Sequence, residues 1–238
     1  LGRRDLAVAF YHKALSLQKT NRYALMGLGD LHYKERNYKD ALTAWEQLLQ
    51  IDPRLINIIT MVGNIHRKLH NFEKAVDYFS AALKIAPHNN YAVFGMADAL
   101  RGLGRYEQAA PYWDEIVQED PENAQVLTRA GDCFFRIGDL AKAERLFRRA
   151  ADLAHEAPAL RGLSRIQRRR GEFELAVQNY ESILSRNPDD MHTISLLGET
   201  LAESEGNASA LAYLRNQLVA HPDSKEIQCA IQRLEEHP

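Results

Sequence analysis

Apolar and polar residues follow one another along this chain in a helical rhythm that restarts every 34 residues. Runs such as YALMGLGDLHY and DALTAWEQLLQI space their apolar residues by three and four, which gathers them on one helical face. These amphipathic runs come in pairs. The segments NYKD, NFEK, GRYEQ, GDLAK and GEFEL separate the two members of a pair, and a proline forbids continuation of the second. Pro53, Pro87 and Pro121 stand 34 residues apart, as do Pro188 and Pro222, while the 67 residues from Pro121 to Pro188 fall one short of two periods.

Within each period the same residue types return. A small residue is followed by Ala in the pairs Gly29 with Ala41, Gly63 with Ala75, Ala97 with Ala109, Gly131 with Ala143, Ser164 with Ala176 and Gly198 with Ala210. Four residues after each Ala comes a large side chain: Trp45, Phe79, Trp113, Phe147, Tyr180 and Leu214. Two helices approach closely only where side chains are small, and one bulky residue a turn later fills the remaining gap.

In this arrangement the chain resembles the tetratricopeptide repeat family over nearly its whole length. The resemblance implies an all-α fold, an α-solenoid forming a right-handed superhelix of helix-turn-helix units whose first helices line a concave groove. Six full units are expected at residues 22–55, 56–89, 90–123, 124–156, 157–190 and 191–224. Residues 1–21, with Ala7, Tyr11 and Ala14, match the second helix of a unit whose first helix is missing. Residues 225–238 place Ile227, Ala230, Ile231 and Leu234 on one face and charge on the other, as a terminal capping helix does. The fourth unit departs from the pattern: it is one residue short and has His155 in place of proline, which is expected to change the superhelical step. His32, His66 and Gln167 replace the usual aromatic of the first helix.

The 238 residues are 45% hydrophobic and 26% charged, enough for one large or two small cores. A net charge of minus 2 gives the whole chain no drive toward nucleic acid or anionic membrane. No stretch reaches the roughly 20 apolar residues that a membrane helix needs. LGRRDLAVAF lacks the apolar centre of a signal peptide and an initiating Met, so the chain reads as a soluble mature fragment or excised piece, cytoplasmic or periplasmic. Cys133 and Cys229 lack CxxC spacing and exclude a disulfide scaffold.

Charge is distributed unevenly. From Ala124 to Gly171 eleven Lys and Arg face five Asp and Glu, a local plus 6, and the remaining 19 basic and 27 acidic residues carry minus 8. The run RIQRRRGEFE is its centre: Arg161, Arg165, Arg168 and Arg169 recur at i, i+4, i+7 and i+8, on one helical face. Positions that face inward in similar proteins imply a partner-binding groove of Tyr23, Tyr33, Asn64, Arg67, Lys68, Tyr91, Phe94, Arg101, Arg129, Phe135, Arg136, Arg161, Arg165, Arg168 and Arg169. It is aromatic toward the N-terminal half and basic toward the C-terminal half, suiting a protein or peptide segment with carboxylates at one end and apolar anchors at the other. The competing reading is a lattice of ion pairs between adjacent first helices, Glu199 with Arg165, Glu203 with Arg169 and Asp132 with Arg165.

Other chemistry is sparse. His66 and His70 have the i, i+4 spacing of a zinc pair but lack an HExxH glutamate and a third ligand, so packing and turn roles are favoured. Cys133 lies within an apolar segment, and Asn207-Ala208-Ser209 matches a glycosylation acceptor without secretory context. Met26, Asp30, Thr60 and Asn64 do not reproduce the Lys and Asn clamp with which some family members bind chaperone tails. No nucleophile with its base, phosphate loop, carboxylate dyad or cofactor motif is present, so no enzyme is expected. The expected function is a protein-interaction scaffold or adaptor; the alternative is the recruiting or regulatory part of a larger enzyme or secretion machine, and nucleic-acid binding ranks last. An apolar face at Leu6, Phe10 and Leu17 leaves room for self-association.

Overall fold

The computed structural model describes residues 3–154 and 156–236, so the departure noted at His155 lies outside the described residues. Those residues form α-helices and no strands. In order they are α1 Arg3–Leu17, α2 Arg22–Lys34, α3 Tyr38–Ile51, α4 Ile56–Lys68, α5 Phe72–Ile85, α6 Asn90–Gly102 and α7 Tyr106–Glu119. There follow α8 Ala124–Ile137, α9 Leu140–Ala154, α10 Ala157–Arg169, α11 Phe173–Arg186, α12 Met191–Glu205, α13 Asn207–Ala220 and α14 Lys225–Glu236. The chain divides into two compact units, residues 1–116 and 117–238.

Local chemistry sets the helix ends. The side chains of Asn21, Asn89, Asn123 and Asp190 accept hydrogen bonds from backbone N–H groups of the first turns of α2, α6, α8 and α12. At the other end α2 closes on paired bonds, Arg36 N to Tyr33 O and Asn37 N to His32 O, and the pattern repeats after α4, α6 and α10. It requires a left-handed residue, supplied by Gly104 and Gly171 in two cases and by Arg36 and His70, at φ 58° and 59°, in the others. The turns are tighter than NYKD and NFEK suggest, because only Asn37 and Asn71 stay outside helices and the remaining residues open α3 and α5. Pro53, Pro87, Pro188 and Pro222 each stand two residues beyond a helix end.

Packing follows the small-and-bulky pattern. Trp45, Phe79, Trp113, Phe147, Tyr180 and Leu214 are fully buried, as is the Ala one turn before each. In the first unit Phe79 fills the gap between α4 and α6: a Cβ on Gly63 would stand 2.9 Å from its ring, and one on Gly95 would stand closer still. Phe147 occupies the same place in the second unit, between Gly131 and Gly162. Within the first unit α4 therefore packs on its own second helix, α5, and also on the next first helix, α6, and within the second unit α8 packs in the same way on α9 and α10. That stacking defines an α-solenoid. It sets the first helices side by side within each unit, and their outer side chains form the candidate surface.

Candidate partner-binding face

In the first unit the aromatic candidates separate into two kinds. Tyr23 and Tyr91 stand in solvent at 86% and 76% exposure. Tyr33 is instead half-buried against Tyr38 and Trp45, with ring centres 5.9 and 5.5 Å away, and Phe94 meets Trp113 edge-on at 5.7 Å. Lys68 donates to the Tyr33 hydroxyl at 3.2 Å and lies over both tyrosine rings. The bond to Tyr33 raises the Lys68 ammonium above the usual lysine range.

The basic candidates of this unit are engaged. Asp98, buried in α6, accepts from Arg67 Nη1 at 2.5 Å and from Arg101 Nη2 at 2.8 Å, while Arg67 Nε donates to Asn64 Oδ1 at 3.3 Å. Two guanidiniums on one buried carboxylate satisfy its charge and tie α4 to α6. A pocket of about 490 Å³ opens between α2 and α4, with Met26, Asp30, Asn57 and Met61 in its lining. Burial pushes the Asp30 carboxyl up, against the pull of Lys34.

In the second unit the four arginines of α10 divide by helical geometry. Residues four apart share one line along a helix, and residues seven apart share another. Arg165 and Arg169 turn back to α8, where their guanidiniums lie 4.7 and 4.3 Å from the centre of the Phe135 ring and Arg165 also pairs with Asp132. Arg161 and Arg168 turn forward to α12. Arg161 bonds Asp190 at 2.7 Å, and Arg168 bonds Glu203 at 2.6 Å and lies 3.6 Å from Glu199. Burial works against the Arg168 charge, but Glu203 outweighs it and holds the guanidinium above its ordinary range. Likewise the bonds from Thr193 and Arg161 overcome burial and hold the Asp190 carboxyl below its usual range.

Two expected ion pairs are thereby corrected. Glu203 goes to Arg168 rather than Arg169, because Arg169 is stacked on Phe135 on the opposite side. Glu199 goes to Arg168 and to Arg233 of α14 at 3.0 Å rather than to Arg165, which belongs to Asp132. Phe135 itself is buried beneath the guanidiniums and forms their floor. Arg129 is half-buried on α8, and Arg136 and Arg169 are exposed.

Some participants are absent from the sequence reading. Arg170, the residue that caps α10, binds Glu144 of α9 at 2.8 Å, and Arg233 joins the Glu199 pair. His66 is buried and stacked on Tyr78, whose hydroxyl donates to Glu46 at 3.2 Å. Burial, and the Glu46 charge after it, push that phenol up to about 12. An acidic residue inside an otherwise apolar run, as Asp98 is beside Ala97, is the signal that could have revealed the Arg67 and Arg101 pairing. His70 occupies the turn after α4, Cys133 is buried, and the Asn207 side chain donates to the Leu234 carbonyl at 3.3 Å. Among the described residues no three His, Cys, Asp or Glu are grouped to hold a metal ion. None of the described helices is long and apolar enough to cross a membrane.

Comparison with curated proteins finds no match. Solved structures provide a fold likeness. A tetratricopeptide repeat protein from Parabacteroides merdae ATCC 43184 superposes with a TM-score of 0.74 at 16% identity, covering 90% of this chain and 92% of its own. PilW, a widely conserved type IV pilus biogenesis factor, gives 0.72 at 21% identity over 88% and 98%. YrrB, a TPR protein with an unusual peptide-binding site, gives 0.68 at 19% identity over 77% and 95%. Tetratricopeptide repeat family models match residues 22–55, 59–89 and 94–158, together more than half of the chain. With the interlocked small and bulky residues recurring through both units, these matches establish that the chain belongs to the tetratricopeptide repeat family.

Proposed function

We propose that this chain is a non-catalytic scaffold or adaptor that binds an acidic, partly apolar segment of a protein partner along its first helices, in the groove of its family. The observation that carries this reading is the plus 6 concentrated in residues 124–171 of a chain that is otherwise acidic. Such a patch attracts carboxylates and disfavours like-charged partners. Exposed Tyr23 and Tyr91 supply the aromatic contact area that peptide surfaces favour. YrrB lends support as a peptide-binding member of the same fold. The reading divides the chain into six units over residues 22–224, a second helix at 1–21 and a cap at 225–238. Leu6, Phe10 and Leu17, all exposed on α1, are available for contact with a second copy.

Photo-crosslinking tests this reading. A photoreactive phenylalanine at Tyr91 of α6 or Gln125 of α8, both exposed first-helix positions, is expected to capture a net-acidic partner segment in native lysate. The same probe at Lys84 of α5 or Arg149 of α9, exposed second-helix positions, is expected to leave that segment unlabelled. Labelling of the segment from the second helices alone would overturn the proposal.

A further inference from the structure

Within the second unit, a pocket of about 410 Å³ is lined by Phe135, Arg136, Arg165, Arg168, Arg169 and Glu203. Its four guanidiniums are not equivalent. Arg165 is held by Asp132, and Arg168, only 15% exposed, is held by Glu203 and Glu199. Arg136 and Arg169 have no carboxylate at ion-pair distance among the described residues, and both are exposed. Once the paired charges cancel, the pocket retains two positive charges, one from α8 and one from α10.

Arg169 is nevertheless held in position. Its guanidinium lies on the Phe135 ring, 4.3 Å from the ring centre, beside that of Arg165. Stacking restrains the long side chain without neutralising it and leaves the N–H edge free for a bidentate acceptor. A side chain ordered in advance gives up less entropy on binding. The flanks are acidic: Asp132, Glu199 and Glu203 border the paired arginines. They oppose a continuous phosphate backbone and favour a short acidic element.

Building on the peptide-binding reading above, we propose that Arg136 and Arg169 are a carboxylate clamp. Two neighbouring Asp or Glu side chains of the partner segment seat between them. Arg165 and Arg168 shape the pocket and contribute no ligand bond of their own.

The test is fluorescence anisotropy with the full chain and a fluorescein-labelled hexaglutamate peptide, and a labelled oligothymidylate as the second probe. The variant Arg136→Gln with Arg169→Gln is compared with Arg186→Gln and Arg215→Gln, which removes two exposed arginine charges of the same unit outside residues 124–171. Circular dichroism establishes that both variants stay folded. The clamp variant is expected to bind hexaglutamate about tenfold more weakly, with a shallower salt dependence, while the control stays within about twofold of the parent. Equal weakening in both variants, or full binding by the clamp variant, overturns the clamp and leaves the acidic-segment reading standing. Failure of the parent chain to bind hexaglutamate overturns both, as does preference for the oligothymidylate.

Discussion

His66 shows how one residue carries both packing and charge. Its ring occupies a helix-packing slot that more often holds an aromatic, and it stacks on Tyr78 with ring centres 5.5 Å apart. Burial, reinforced by nearby Lys74, lowers its pKa below the usual 6.5, although Glu46 pulls the other way. The folded chain thus holds the proton off while the unfolded chain accepts it near pH 6.5. Stability from this source is full above pH 6.5 and is lost as pH falls toward the folded-state value. His66→Phe keeps an aromatic ring and removes the titration, so its thermal midpoint is expected to fall less between pH 7 and 5 than that of the parent chain. Identical acid limbs would show that other groups govern this range. The slot was legible in the sequence because it recurs at 34-residue intervals. The ion-pair partners of α10 were only partly so, since linear spacing does not show that residues 165 and 169 lean back while 161 and 168 lean forward.

Among the elements, the turns after four first helices, α2, α4, α6 and α10, share one form. Its paired backbone bonds need one left-handed residue, and glycine meets that need freely. Arg36 and His70 meet it at a steric cost of roughly 1–2 kcal/mol each. Arg36→Gly is therefore expected to raise unfolding stability by about 1 kcal/mol in urea titration, the rest of the gain being offset by the flexibility of glycine in the unfolded chain. An unchanged or lower midpoint would mean that the Arg36 side chain contributes more than its strained backbone costs. The helix pairs and the sharp stop after each second helix were legible from the prolines and the apolar rhythm. The turn length was not, because Tyr38 and Phe72 are equally at home in a loop and in the first turn of a helix.

At the scale of the molecule, the repeat architecture was legible throughout, whereas the division into two compact units was not, since no change of composition or linker marks it. Repeat proteins are stabilised by nearest-neighbour contacts, so their cooperativity can fail between groups of repeats. Both tryptophans, Trp45 and Trp113, belong to the first unit, while helices fill both. Urea unfolding followed by tryptophan fluorescence and by circular dichroism is expected to give different midpoints. Coincident curves would show that the two units unfold as one.

The grip on Phe79 from Gly63 and Gly95, and on Phe147 from Gly131 and Gly162, also bears on how such a chain can be inherited or rebuilt. A crossover at the seam between two helix pairs would part an aromatic ring from one of the two glycines shaped around it. Recombination between related chains conserves the fit only if it exchanges the stretch from one glycine to the next. The module that lineages can trade is thus offset from the helix pair that the eye picks out: it begins in the middle of one first helix and ends in the middle of the following one.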